Sequence, residues 1–138
     1  MYRFFSRTKE KQGPVYVTLT IGPVPGTEEG PGKLIITAMN KESDESIVLD
    51  GPGLRLPDKR NVILPMPLGR VRFPTVLHKD EEDCCVWTDA RTLAENLSTR
   101  HYSGICPIVG YFNSGLGKNA TFYVSDPLPF DIDEWLAT

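Results

Sequence analysis

Apolar and polar residues alternate from the first regular stretch of the chain. Val15, Val17, Leu19 and Ile21 are separated by Tyr16, Thr18 and Thr20, the period of two that gives a strand one buried face. The pattern predicts a strand over 14–21. A loop follows over 22–32, where closely spaced Gly and Pro leave no room for regular structure. A second strand is predicted over 33–40, with Leu34, Ile36 and Ala38 on one face. A polar hairpin turn at 40–45 returns the chain into a third strand at 46–49. Asp50-Gly51-Pro52-Gly53 reads as a break, after which 54–56 resumes. Beyond a turn at 57–61, residues 62–64 form a short strand whose Pro65 and Pro67 flank suits a sheet edge. Residues 71–77 lead into a charged turn at 78–83, and 84–88 is the next strand.

The period then changes once. Leu93 and Leu97, four apart, with Ala90 and Ala94 beside them, make a narrow apolar stripe, while Arg91, Glu95 and Arg100 face away. Asp89 stands where its carboxylate caps the first free amides. The helix is predicted over about 89–101, ending at Tyr102-Ser103-Gly104. Strand patterning returns at 105–112, with Cys106, Ile108, Gly110 and Phe112 on one face. A turn at 113–119 and a strand at 121–124 follow, and the tail over 126–136 is extended before a helical turn. Seven to nine short strands crossed by one helix predict an all-β, Ig-like antiparallel β-sandwich with one short crossover helix. The organisation expected is a flexible basic arm over 1–13 and a single sandwich domain over 14–138.

Composition narrows the partners. With 138 residues the chain can bury a core without staples. A net charge of −3 opposes a nucleic-acid surface, which needs a clustered basic excess. The basic cluster of the arm, Arg3, Arg7, Lys9 and Lys11, reads as a solvated arm or as weak attachment to an acidic surface or lipid headgroups. No apolar run is long enough to span a bilayer. The opening residues lack the apolar core of a signal peptide, so a cytoplasmic location is expected.

An ordered set of features runs through residues 33–125: a strand ending at Asn40 in a polar turn, the Gly53-Leu54-Arg55-Leu56 segment, and Phe73-Pro74 followed by Leu77. It continues with the Thr88-Asp89-Ala90-Arg91 helix opening and Tyr102-Ser103-Gly104 before the second core strand. Over roughly this span the chain resembles a group of uncharacterised bacterial Ig-like sandwich domains. Domains of this kind recur in phage and surface proteins. The resemblance implies a fold and no catalytic residues.

Chemistry is sparse. His78 with Asp80, Glu81, Glu82 and Asp83 makes at most a loose divalent-ion site and reads first as a solvated acidic turn. Gly51-Pro52-Gly53 and Gly115-Leu116-Gly117 open no helix and read as turns, not phosphate loops. Cys84 and Cys85 are adjacent on a strand, so their side chains point to opposite faces and one is expected in the core. They are the weak candidates for a reactive thiol, whereas Cys106 reads as core. In the tail, Phe130, Ile132 and Trp135 sit among acids and either fold back on the sandwich or dock on another chain. The expected function is a non-catalytic binding or protein-interaction domain without a cofactor, its surface at the 22–32 and 51–53 loops or an edge strand. A structural or assembly subunit that self-associates, and a small cysteine-dependent enzyme, are the alternatives.

Overall fold

A computed structural model describes residues 13–80, 84–115 and 117–137. It is an all-β sandwich of antiparallel sheets. The first sheet contains β1 (Val15–Gly22), β2 (Lys33–Asn40), β6 (Leu68–Gly69) and β8 (Cys84–Asp89), in the order β1-β2-β8-β6. The second contains β4 (Gly51–Arg55), β5 (Asn61–Val62), β9 (Ile105–Ser114) and β10 (Thr121–Val124), in the order β10-β9-β4-β5. β11 (Leu128–Asp131) continues the edge beyond β10 by pairing with the first half of β9. A ribbon of β3 (Ile47–Leu49) and β7 (Thr75–Leu77) flanks the two sheets.

The alternation in β1 and β2 pays out as read. Val15, Val17, Leu19, Leu34, Ile36 and Ala38 are buried in one core with Leu54, Ile108, Phe112 and Phe130 from the second sheet. The sheets approach closely at Gly110, where a Cβ would lie 3.3 Å from Ile36 and 3.4 Å from Leu19. α1 (Ala90–Thr99) carries the chain from β8 in the first sheet to β9 in the second, so it is the crossover that the sequence predicts. Its stripe of Ala90, Leu93, Ala94 and Leu97 is buried.

Both ends of α1 are closed by specific bonds. The Asp89 carboxylate accepts from the Thr92 amide at 3.0 Å and the Thr92 hydroxyl at 3.1 Å, and Lys33 Nζ lies 3.4 Å away. At the C-terminus the His101 amide donates to the Ser98 carbonyl and the Tyr102 amide to the Leu97 carbonyl, the paired bonds of a Schellman motif. His101, at φ 72°, takes the left-handed position. The helix therefore stops at Thr99, earlier than the Tyr102-Ser103-Gly104 boundary predicted from glycine placement.

Burial pushes the Asp89 carboxyl up, but the Thr92 amide and hydroxyl and the Lys33 ammonium outweigh it and hold the group below its ordinary value. A depressed folded value means that the stabilisation is fully present above the unfolded pKa of about 4 and is lost as pH falls through the folded value. Asp89→Ala should cost about 1 kcal/mol near neutrality. Asp89→Asn, which still caps, should remove part of the acid-limb dependence. Urea unfolding at a series of acidic pH values checks both.

Several predicted boundaries are corrected. Residues 46–49 do not return as a hairpin on β2. Asn40 is buried, donates from Nδ2 to the carbonyls of Glu45 and Leu77, and accepts from the Ser43 amide, and β3 pairs with β7 instead. Gly51-Pro52-Gly53 is not a break or a turn but the first part of β4, paired with Tyr111, Phe112 and Asn113. Leu68–Gly69 forms a strand that no periodicity signalled. Of the edge strand predicted over 62–64 only Val62 is in a strand, paired into β5 with Asn61, and β5 does end the second sheet. The basic arm residues Arg3, Arg7, Lys9 and Lys11 lie outside the described residues, as do Glu81, Glu82 and Asp83.

Candidate binding face on the second sheet

The two faces of β9 differ from those of an ordinary half-solvated strand. Cys106, Ile108, Gly110 and Phe112 point inward and are buried. Pro107, Val109 and Tyr111 alternate with them, so the outer face is also apolar. Register adds neighbours to it. Gly53 lies opposite Tyr111 and Arg55 opposite Val109, Val124 lies opposite Tyr111 and Phe122 opposite Asn113, and Asn61 lies opposite Arg55. Gly53, Tyr111 and Val124 therefore line one row across β4, β9 and β10, and Asn61, Arg55 and Val109 line the adjoining row across β5, β4 and β9.

Arg55 is the centre of this row. Its guanidinium carbon is 5.6 Å from the Tyr111 ring centroid and 5.3 Å from that of Phe122, and the two rings meet edge to face at 5.2 Å. Cation–π attraction of this kind holds a side chain that would otherwise be rotamer-rich. Arg55 Nε also donates to Asn61 Oδ1 at 3.1 Å. Gly53 makes the arrangement possible. A Cβ there would come within 2.9 Å of Tyr111 Cε2 and closer still to Cζ and Oη, so the hydroxyl end of the ring occupies the space over the glycine. Burial pushes the Tyr111 phenol up, with Arg55 acting in the opposite direction, so it is neutral at physiological pH.

Beside the stack lies an open cleft of about 650 Å³. Pro107, Val109, Val124 and Pro127 form its apolar floor, and Arg55, Lys59 and Asn61 stand on its wall. None of its lining residues carries a carboxylate. Asp58, next to the lining residues Pro57 and Lys59, is engaged elsewhere. It accepts from the Tyr102 hydroxyl at 2.6 Å and lies 3.5 Å from Arg60. The Tyr102 hydrogen bond, with help from Arg60, holds its carboxyl below the ordinary value.

A bulge shapes the far rim. Between the pairs Val124–Tyr111 and Leu128–Ile108, the edge strand spends Ser125, Asp126 and Pro127 against Val109 and Gly110, one residue more than its partner. The Ser125 hydroxyl accepts from the Gly110 amide at 2.9 Å and donates to the Asp126 carbonyl at 2.8 Å. It is therefore satisfied by the backbone that it bends.

The sequence-predicted site residues lie elsewhere. Phe130 and Ile132 have no exposed surface and belong to the core, and Trp135, in the short helix α2 (Ile132–Leu136), packs partly buried against it. The tail has folded back on the sandwich, so Phe130 and Ile132 cannot serve as docking anchors in the folded chain. Cys84 and Cys85 do point to opposite faces, yet both are buried at 2 % exposure. The expectation that only one faces a core fails because the outer face of the first sheet has a core of its own. Val24 from the 22–32 loop closes over Ile35, Cys85 and Trp87. That loop is thus a structural cover on this side, with the Arg70 guanidinium donating to the Pro25 carbonyl. Cys106 is buried, and burial raises its thiol.

His78 Nδ1 lies 2.6 Å from Ser46 Oγ on the exposed ribbon. In a nucleophile triad Nδ1 faces the orienting acid and Nε2 the hydroxyl, so this pair has the wrong nitrogen engaged. Among the described residues no three His, Cys, Asp or Glu side chains converge as metal ligands. No helix among them is long and apolar enough to cross a membrane. All three thiols should react slowly with a disulfide reagent in the native protein and rapidly after unfolding. A single fast native thiol in stopped-flow labelling would favour the cysteine-enzyme alternative.

No family model matches this chain, and no curated protein or solved structure does either.

Proposed function

We propose that the chain is a non-catalytic binding domain of the Ig-like class that takes an extended segment of a partner protein on the outer face of its second sheet. The observation that carries this reading is the cleft beside Arg55, with two cations on its wall, an apolar floor and no lining carboxylate. Its chemistry fits a segment in which an acidic side chain stands next to apolar ones. The apolar groups cover Val109 and Val124 while the carboxylate meets a guanidinium already oriented by Tyr111, Phe122 and Asn61. A preoriented cation loses little freedom on binding, which favours recognition without chemistry.

Selection of displayed random peptides against the full chain should enrich acidic–apolar sequences. For a selected peptide, Arg55→Gln should weaken binding at least about tenfold, as expected for losing a hydrogen bond to a charged group. Titration calorimetry measures the affinity, and amide shifts should cluster on Val109, Val124 and their neighbours. Enrichment without acidic residues, or an affinity indifferent to Arg55→Gln, would overturn the reading.

A further inference from the structure

The connection between β5 and β6 does something that the binding face does not explain. Within six residues it exposes three large apolar side chains: Ile63 at 86 %, Met66 at 83 % and Leu68 at 55 %. The loop is nonetheless anchored. Val62 and Leu64 are buried in the main core, the Thr88 hydroxyl donates to the Pro65 carbonyl, and the Arg70 amide donates to the Cys85 carbonyl at 3.2 Å. Met66 is held at φ 45°, a left-handed conformation that a long side chain rarely adopts. Strain at an exposed apolar residue on an anchored loop points to use rather than slack.

Charge identifies the occupant. From Lys59 to Lys79 the sequence has five cations, Lys59, Arg60, Arg70, Arg72 and Lys79, and no acid, in a chain of net charge −3. Three of them are partly engaged, Arg60 by Asp58 at 3.5 Å, Lys79 by Asp44 at 3.0 Å, and Arg70 by the Pro25 carbonyl. The apolar tips protrude rather than line a groove, so they need a surface that yields around them. We infer that the Ile63–Leu68 loop docks the protein on an anionic lipid surface. Ile63, Met66 and Leu68 enter the headgroup–acyl boundary, and the neighbouring cations meet lipid phosphates and carboxylates. This inference stands apart from the peptide face, since the inserting residues Ile63, Met66 and Leu68 are not among those that line the cleft.

The test is co-sedimentation of the full chain with phosphatidylcholine vesicles, with and without about one-third phosphatidylserine. The protein should partition onto the anionic vesicles and much less onto the neutral ones, and added salt should weaken it. The double variant Ile63→Ser and Met66→Ser should lower partitioning at least tenfold, and Arg72→Gln should lower it several-fold. Because Ile63 and Met66 are exposed, thermal melts should be unchanged. Ile63→Trp should show blue-shifted emission on anionic vesicles, a sign of insertion that charge attraction alone does not give. Failure of the wild type to sediment overturns the proposal. So does undiminished binding of the Ser double variant, which would assign the attraction to other cations such as those of the basic arm. A dimer abolished by the same double variant, with no vesicle binding, would assign the loop to a second copy and also overturn it.

Discussion

Phe130→Ala should cost about 3–5 kcal/mol in urea or thermal unfolding, the range for removing a large aromatic side chain from a tight core. Phe130 has no exposed surface and lies opposite Cys106 in the β11–β9 register. Marginal domains hold only about 5–15 kcal/mol in total, so this one substitution spends much of the reserve. A chain ending at Asp126 loses more. It gives up β11 and the buried Ile132, together with the bonds between Gly104 and α2, in which the Ile132 amide donates to the Gly104 carbonyl at 3.0 Å and the Gly104 amide to Asp133 at 3.2 Å. It also leaves the first half of β9 as an open edge. That truncation is expected to be unfolded by circular dichroism. A stable, cooperatively folding truncation would show that the tail is an appendage after all.

Gly53→Ala is the second large expected effect, and it is a coupling. An added Cβ overlaps the Tyr111 ring, so the ring must swing off the sheet and Arg55 loses one of its two aromatic supports. The single substitution should destabilise by roughly 1–3 kcal/mol and weaken a selected peptide in parallel. In a Tyr111→Ala background the obstacle is gone. There Gly53→Ala should be neutral or slightly stabilising, because alanine gives up less freedom than glycine in a strand. Tyr111→Ala by itself should still weaken the peptide, because Arg55 is then supported by Phe122 alone. A double-mutant cycle by urea unfolding measures the coupling. Additive effects would show that the ring does not rest on the glycine.

Much of the sandwich was readable because its long strands and helix bury one face each. β1 and β9 alternate over eight or more residues, and α1 has a helical stripe with a capping Asp89. Gly51-Pro52-Gly53 misled because the glycine serves a tyrosine 58 positions away in sequence (111 − 53), and local propensity holds no trace of that. Leu68–Gly69 is too short to show any period. The burial of both Cys84 and Cys85 follows from a loop crossing the outer face, which adjacent residues cannot reveal. The proposed binding face left one faint sign, since Pro107, Val109 and Tyr111 make the nominal solvent side of β9 apolar. The partners of that row come from β4, β5 and β10 and needed the register to be found.

The order in which the chain visits its two sheets has a kinetic side. It leaves the first sheet after β2, enters the second at β4 and β5, returns for β6 and β8, and leaves again through α1. Neither sheet is complete until segments of the other have been laid down between its strands. Lys33 meets Asp89 and Gly51 meets Asn113, so each sheet closes loops of about sixty residues before those pairings reward the ordering. The β1–β2 and β9–β10 hairpins are local nuclei among the described strands, and collapse beyond them waits for distant partners. Refolding therefore belongs to the milliseconds-to-seconds regime of interleaved β proteins, where half-paired edges stay open to neighbouring chains for longest.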